Sequence, residues 1–213
     1  MMTGFFITFE GPDGAGKTTQ LNLLAKYLGE KGLTVLGTRE PGGTVLGESL
    51  RKVLLDPAYH GMCARAEALM YMAARAQHVA EIINPALKRG EVVICDRYAD
   101  STIVYQGVAR KLESEELLSI NQFAANGLKP DLTILLDGDI QLLDARRAER
   151  GSKDRIEQEA REFHEAVRQG FLKIAAAEPD RIKVVSQGGG IDTVHQAVVK
   201  IVEAFLTGRT GRT

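Results

Sequence analysis

The chain has 213 residues, 44% of them hydrophobic and 26% charged, with a formal net charge of -1. That length suits a single sizeable core, and so even a charge balance gives no global attraction to nucleic acid or to an anionic membrane. Its two cysteines, Cys63 and Cys95, lack a CxxC spacing, which argues against a disulfide framework or a zinc site and fits a reducing cytoplasm.

Met1-Met2-Thr3-Gly4 carries no basic stretch or cleavage-like site, so no signal peptide is expected, and no apolar run is long enough to span a bilayer. A β-rich run at Phe5–Glu10 leads through a glycine-rich turn into a helical stretch over 17–31. A strand over 33–37, a helix over 45–55 and a long helix over about 64–89 follow, the last kinked late by Pro85. Strands over 91–95, 131–137 and 181–185 each precede helical patterns, the final one covering about 191–206. The apolar run Leu132-Thr133-Ile134-Leu135-Leu136 suits a strand covered on both faces. These elements predict an α/β fold in three layers, a parallel sheet with helices on both faces, in one domain over 1–207. Residues 208–213 contain no apolar side chain and are expected to be a disordered tail.

Between the first strand and first helix, Gly11-Pro12-Asp13-Gly14-Ala15-Gly16-Lys17-Thr18 satisfies G-x-x-x-x-G-K-[ST] in the context that motif requires. Backbone N–H groups there and the helix N-terminus present unpaired donors to polyphosphate oxygens, with Thr19 next in line. Lys17 adds a point charge for the β- and γ-phosphates, and the Thr18 hydroxyl suits Mg²⁺. The guanine-selecting Asn-Lys-x-Asp sequence is absent. Candidate acid-bearing strands end in Cys95-Asp96-Arg97 and Leu136-Asp137-Gly138, without the adjacent acid pair of water-polarising ATPases. Asp96 followed at once by Arg97 suits metal management, through water, beside an anionic second substrate; a merely structural Asp-Arg pair is the alternative.

Four further segments stand in order: Arg39-Glu40-Pro41-Gly42-Gly43-Thr44, Asp96-Arg97-Tyr98, Ser101-Thr102-Ile103-Val104-Tyr105-Gln106-Gly107 and Asp154-Arg155-Ile156-Glu157-Gln158-Glu159. Together with the phosphate loop, they resemble the signature segments of bacterial thymidylate kinases over a span from Phe5 to about Phe171. The resemblance implies a P-loop nucleoside-monophosphate-kinase-like fold, phosphoryl transfer from ATP to dTMP, Mg²⁺ and a homodimer. The other readings are a different nucleotide or nucleoside kinase of this fold, or a nucleotide-binding regulatory ATPase.

Glu67, Tyr71 and Arg75 recur every four residues and share a helix face, which alone reads equally as a solvated ion-pair ladder. The resemblance makes Tyr71 the aromatic that stacks on thymine, where most relatives carry phenylalanine, and Arg75 the arginine that bonds the base. It places Thr102 and Gln106 at the base and Tyr105 under the deoxyribose, against a bland reading as a helix-start packing cluster. Arg51 and Arg97 are the candidates for the acceptor phosphate, since guanidinium groups meet phosphate bidentately, although a helix-end cation such as Arg51 also complements the helix dipole. Asp13 matches the acid that contacts the 3′-hydroxyl, beside its plain reading as a Pro-Asp-Gly turn residue. The basic segment 144–155 falls where the family carries its lid. With Gly14 in place of a loop cation, the resemblance assigns the missing charge to a lid arginine, Arg150 first and Arg146 second. Without the resemblance this segment reads as a solvated basic face.

Overall fold

The computed structural model describes residues 4–112, 114–148 and 154–210. Among the described residues, β1 (Phe5–Glu10), β2 (Val35–Arg39), β3 (Val92–Asp96), β4 (Leu132–Asp137) and β5 (Ile182–Ser186) form one sheet in the order β2-β3-β1-β4-β5. Every neighbouring pair is parallel, with Phe5 opposite Val92 and Ile7 opposite Leu132 fixing the central registers. β2 begins two residues later than 33–37 predicts, because Lys31, Gly32 and Leu33 donate back to carbonyls of the preceding helix end.

Side chains alternate across a strand, so β1 supplies both cores. Phe5, Ile7 and Phe9 pack with Leu24 and Leu28 of α1 (Lys17–Glu30) and Val198 and Val202 of α9 (Gly190–Thr210). Phe6 faces the other way, onto Val79, Ile83 and Tyr98. A third cluster on that second face joins Tyr105 to Val167 and Phe171 of α8 (Arg161–Ala177). Each fully buried side chain of this size contributes about 1.5–3 kcal/mol relative to exposure. The carboxyl ends of β1 and β3 therefore project from a firm floor.

The long helix is interrupted earlier than expected. α3 (Ala64–His78) passes through a π-helical turn at Val79–Ile83, where the Asn84 N–H bonds the Val79 carbonyl, into α4 (Asn84–Lys88). Pro85 accounts for this, since its ring excludes a regular preceding turn. A second π-helical stretch, Ile103–Ala109, extends α5 (Ala99–Thr102) and carries Tyr105 and Gln106. The remaining α-helices among the described residues are α2 (Val45–Leu55), α6 (Ser114–Ala124) and α7 (Ile140–Ala148), with a 3-10 turn at Pro57–Tyr59.

The chain end corrects one expectation: α9 continues to Thr210, so 208–210 are helical, while 211–213 lie outside the described residues. Arg209 explains the extension, lying over the rings of Phe5 and Phe205 and pairing with Asp131 at 3.2 Å. The other Asp131 oxygen accepts from the Phe6 N–H, tying the end of α9 to the start of β1.

Candidate active site

The loop between β1 and α1 is shaped by backbone that only glycine adopts without strain. Gly11 has φ 136°, and a Cβ there would stand 2.3 Å from the Leu136 carbonyl oxygen; Gly14 has φ 86°. The Lys17 ammonium folds back over this loop, donating to the carbonyls of Gly11 at 3.1 Å and Pro12 at 2.8 Å. Burial, then the neighbouring Arg97 charge, pushes Lys17 down to about 8. Thr18 donates its hydroxyl proton to Asp96 at 2.5 Å, bringing the two expected metal-associated residues together. Thr19 and Gly14 line a groove that runs on to Gln187 and Gly190. Arg146 reaches the same groove, bonding the Gln187 amide oxygen at 3.1 Å and the Gly14 carbonyl at 3.4 Å.

Arg97 follows β3 with φ 70°, a conformation costly for any residue that carries a Cβ and characteristic of functional positions. That backbone aims its guanidinium across to the loop. One nitrogen donates to the Gly11 carbonyl at 2.9 Å and to Ser101 at 3.0 Å; the other donates to Asp13 at 2.6 Å and to the Tyr105 hydroxyl at 3.0 Å. Tyr105 in turn donates to the second Asp13 oxygen at 3.1 Å. Burial pushes the Asp13 carboxyl up, but the Arg97 and Lys17 charges outweigh it and hold the group well below the usual carboxylate range.

Beside this junction a small cavity is lined by Pro41, Tyr71, Arg75, Thr102, Tyr105 and Gln106, with Arg97 at its loop end. The helix face carrying Glu67, Tyr71 and Arg75 is no solvated ladder: Glu67 is fully buried and Arg75 nearly so. Arg75 donates through Nε to Glu40 at 2.8 Å, with a terminal nitrogen ion-paired to the same oxygen at 2.7 Å, and through its other nitrogen donates to Thr102 at 2.9 Å and Asn121 at 2.6 Å. A guanidinium has five N–H groups, so one terminal N–H is left for a ligand. Gln106 donates its amide to Glu67 at 2.8 Å, which leaves its carbonyl oxygen as an acceptor. Burial pushes the Tyr71 phenol up, keeping it neutral in the wall. Arg51 stands at the rim, donating to the Pro41 carbonyl at 3.0 Å.

Of the sequence-predicted residues, Gly11 to Thr19, Arg97 and Arg146 gather at the loop, and Tyr71, Arg75, Thr102, Tyr105 and Gln106 gather at the cavity. Arg150 lies outside the described residues, with the rest of 149–153 from the expected lid 144–155. Sequence reasoning missed Glu40 as the Arg75 counter-ion, Asn121 as its second acceptor, and Glu67 as a shared carboxylate. Glu67 accepts from Gln106, from Arg110 at 3.3 Å and pairs with Arg155 at 2.6 Å, so the Asp154-Arg155 segment is fastened behind the cavity. Charged residues in a largely apolar helix pattern are the signal for Glu67; nothing local marks Asn121.

The thymidylate kinase family model matches residues 9–198. A thymidylate kinase of Symbiobacterium thermophilum is 49% identical over 204 residues, spanning 96% of this chain and 95% of the relative. One of Lactobacillus delbrueckii subsp. bulgaricus is 51% identical over 206 residues, spanning 95% and 97% respectively. The crystal structure of thymidylate kinase from Ehrlichia chaffeensis aligns with a TM-score of 0.77 at 36% identity, over 93% of this chain and 98% of that one. A phosphate loop meeting a polar-edged cavity, and similarity that runs nearly end to end, lead to one assignment: the chain belongs to the thymidylate kinase family.

Proposed function

We infer that the chain is an ATP-dependent thymidylate kinase, transferring the γ-phosphoryl of ATP to dTMP to give ADP and dTDP, a step toward dTTP. The observation that carries this reading is Arg97, whose single guanidinium joins the phosphate loop at Gly11 and Asp13 to the cavity at Tyr105.

The loop from Gly11 to Thr18, through the backbone N–H groups it has at every position but Pro12 and with Lys17, holds the β- and γ-phosphates of ATP, and Thr19 and Arg146 border them. Tyr71 stacks on thymine. The free N–H of Arg75 and the carbonyl of Gln106 meet the polar edge of the base beside Thr102, and Tyr105 packs under the sugar. Arg97 and Arg51 hold the acceptor phosphate, and Asp13 takes the 3′-hydroxyl. Phosphoryl transfer needs in-line placement and charge neutralisation and no covalent protein intermediate, which is what such a set supplies. Arg150 is the lid cation for the transferring phosphoryl in this reading.

Thr18 and Asp96 fit a Mg²⁺ site, directly or through water, because both are oxygen donors beside the phosphate loop. Held by these two residues, the ion would supply charge neutralisation at the phosphates. Among the described residues no group of three His, Cys, Asp or Glu side chains could hold an ion, which suits a cation that arrives with the nucleotide phosphates. The homodimer implied by the resemblance is supported by exposed apolar side chains on α3 and α6, Leu69 at 57%, Leu118 at 48% and Phe123 at 87%. A cytoplasmic setting is supported by two unpaired cysteines, and no helix among the described residues is long and apolar enough to cross a membrane.

The test is ADP release measured over a panel of nucleoside monophosphates. dTMP should give the highest kcat/KM, and a higher value with dUMP, CMP or a purine monophosphate overturns the reading.

A further inference from the structure

Glu10 ends β1 directly before the phosphate loop, and its side chain lies on the face that holds Phe6 and Tyr98, against Tyr98 and Ser101. It is 1% exposed. One carboxylate oxygen accepts from the backbone N–H groups of Tyr98 at 2.8 Å and Ser101 at 3.3 Å; the other accepts from the Ser101 hydroxyl at 2.6 Å. Because Ser101 spends its one proton on Glu10, its oxygen is left as a pure acceptor, and Arg97 donates to it at 3.0 Å. The chain of contacts therefore runs from Glu10 through Ser101 to the guanidinium that meets Gly11 and Asp13. No ligand role in the proposed transfer accounts for a buried carboxylate at this place.

We propose that Glu10 is a positioning residue for the acceptor phosphate, acting as a carboxylate that orients Ser101 and so fixes Arg97. This rests on Arg97 as a phosphate-holding residue. A protonated Glu10 would donate to Ser101, leaving the serine proton without its acceptor and removing a negative charge near Arg97. Burial first, then Asp100, pushes Glu10 up to about 7, with Arg97 opposing. The charged groups around it are Arg97, Asp100 and Lys17, beside the Cys95 thiol, and Asp100 is itself paired with Arg181 at 2.7 Å. The clamp is thus complete above neutrality and is lost as pH falls.

The experiment compares wild type with Glu10→Gln, measuring kcat/KM for dTMP and for ATP between about pH 5.5 and 8.5. Titration of the dTMP phosphate affects both proteins alike and cancels in their ratio. The expected ratio for dTMP is near one at the acid end and rises to about 10–100-fold at the alkaline end, the size of a lost hydrogen bond to a charged group. The ratio for ATP should stay within a few-fold of one. A dTMP ratio that does not change with pH overturns the proposal. In an Arg97→Gln background, Glu10→Gln should add little; a full additional loss there also overturns it. If Arg97→Gln itself keeps wild-type kcat/KM for dTMP, the Arg97 assignment has failed instead, a distinct outcome. Should Glu10→Gln not fold, Ser101→Ala cuts the same link and keeps the carboxylate. It should show the same loss at the alkaline end, and unchanged kcat/KM there overturns the proposal.

Discussion

Arg97 and Asp13 form an ion pair of 2.6 Å between a strand-end residue with positive φ and the second variable position of the phosphate loop. The pair is partly buried, so each charge depends on the other for its orientation as well as its energy. Asp13→Ala should release Arg97 and misplace the acceptor, lowering kcat/KM for dTMP by about 10²-fold, the cost of small geometric errors in a transfer reaction. Steady-state kinetics check this, and a loss confined to the KM for ATP would contradict it.

Lys17→Ala should lower kcat by about 10²–10³-fold, as removal of one preorganised charge-stabilising donor does, while circular dichroism stays native. pH gives a second handle. The Lys17 ammonium is pushed down to about 8 from the ordinary lysine value of 10.5, so the unfolded chain binds the extra proton through that window. This group's contribution to stability therefore increases as pH rises from about 8 to 10.5, while kcat/KM for ATP falls as the free enzyme loses the ammonium. Melting curves and ATP titrations of wild type against Lys17→Met measure both trends, and parallel pH profiles for the two proteins would refute them.

Glu40→Ala should leave Arg75 charged and uncompensated inside the protein, at a cost of about 3–5 kcal/mol in denaturant unfolding. The same variant should raise the KM for dTMP, since Arg75 loses the partner that fixes its remaining N–H. Stability within about 1 kcal/mol of wild type would show that the pair matters less than its burial indicates.

dUMP, which lacks only the methyl group, should react about 10–200-fold less efficiently than dTMP, the range for one missing apolar contact. Competition between the two substrates in one assay reads the ratio directly.

Arg150→Ala should lower kcat by about 10³-fold or more with little change in the KM for dTMP, the signature of a cation used mainly in the transition state. Arg146→Ala, which loses its contacts to Gly14 and Gln187, should act chiefly on the KM for ATP. An Arg at position 14 should not rescue Arg150→Ala, because φ 86° there strains any side chain. A large kcat loss in Arg146→Ala with none in Arg150→Ala would exchange the two assignments.

Much of the site was legible because its signals are local. The phosphate loop needs eight consecutive residues between a strand and a helix, and the strand following Gly90 delivers Asp96 and Arg97 to its edge. What stayed hidden is paired across distance. Glu40 meets Arg75 and Asn121 meets Arg75 from separations of 35 and 46 residues, and no periodicity marks either partner. Glu10 was invisible for the opposite reason. In a strand pattern one acid before the loop reads as the polar end of an alternation, and only the fold shows it buried against Ser101. The early break in the long helix was foreseeable in kind but not in place, since Pro85 excludes a regular turn without specifying where the chain widens.

Arg209, lying over Phe5 and bound to Asp131, brings the end of α9 against the start of β1. β1 is 6 residues long, so the phosphate loop begins about 20 Å away, at the far edge of the sheet. Phe5 and Arg209, each one residue inside an end of the described chain, thus meet on the side of the molecule opposite its chemistry. A short flexible linker between them should permit circular permutation, and a label or surface tether attached at either position should leave nucleotide entry unobstructed.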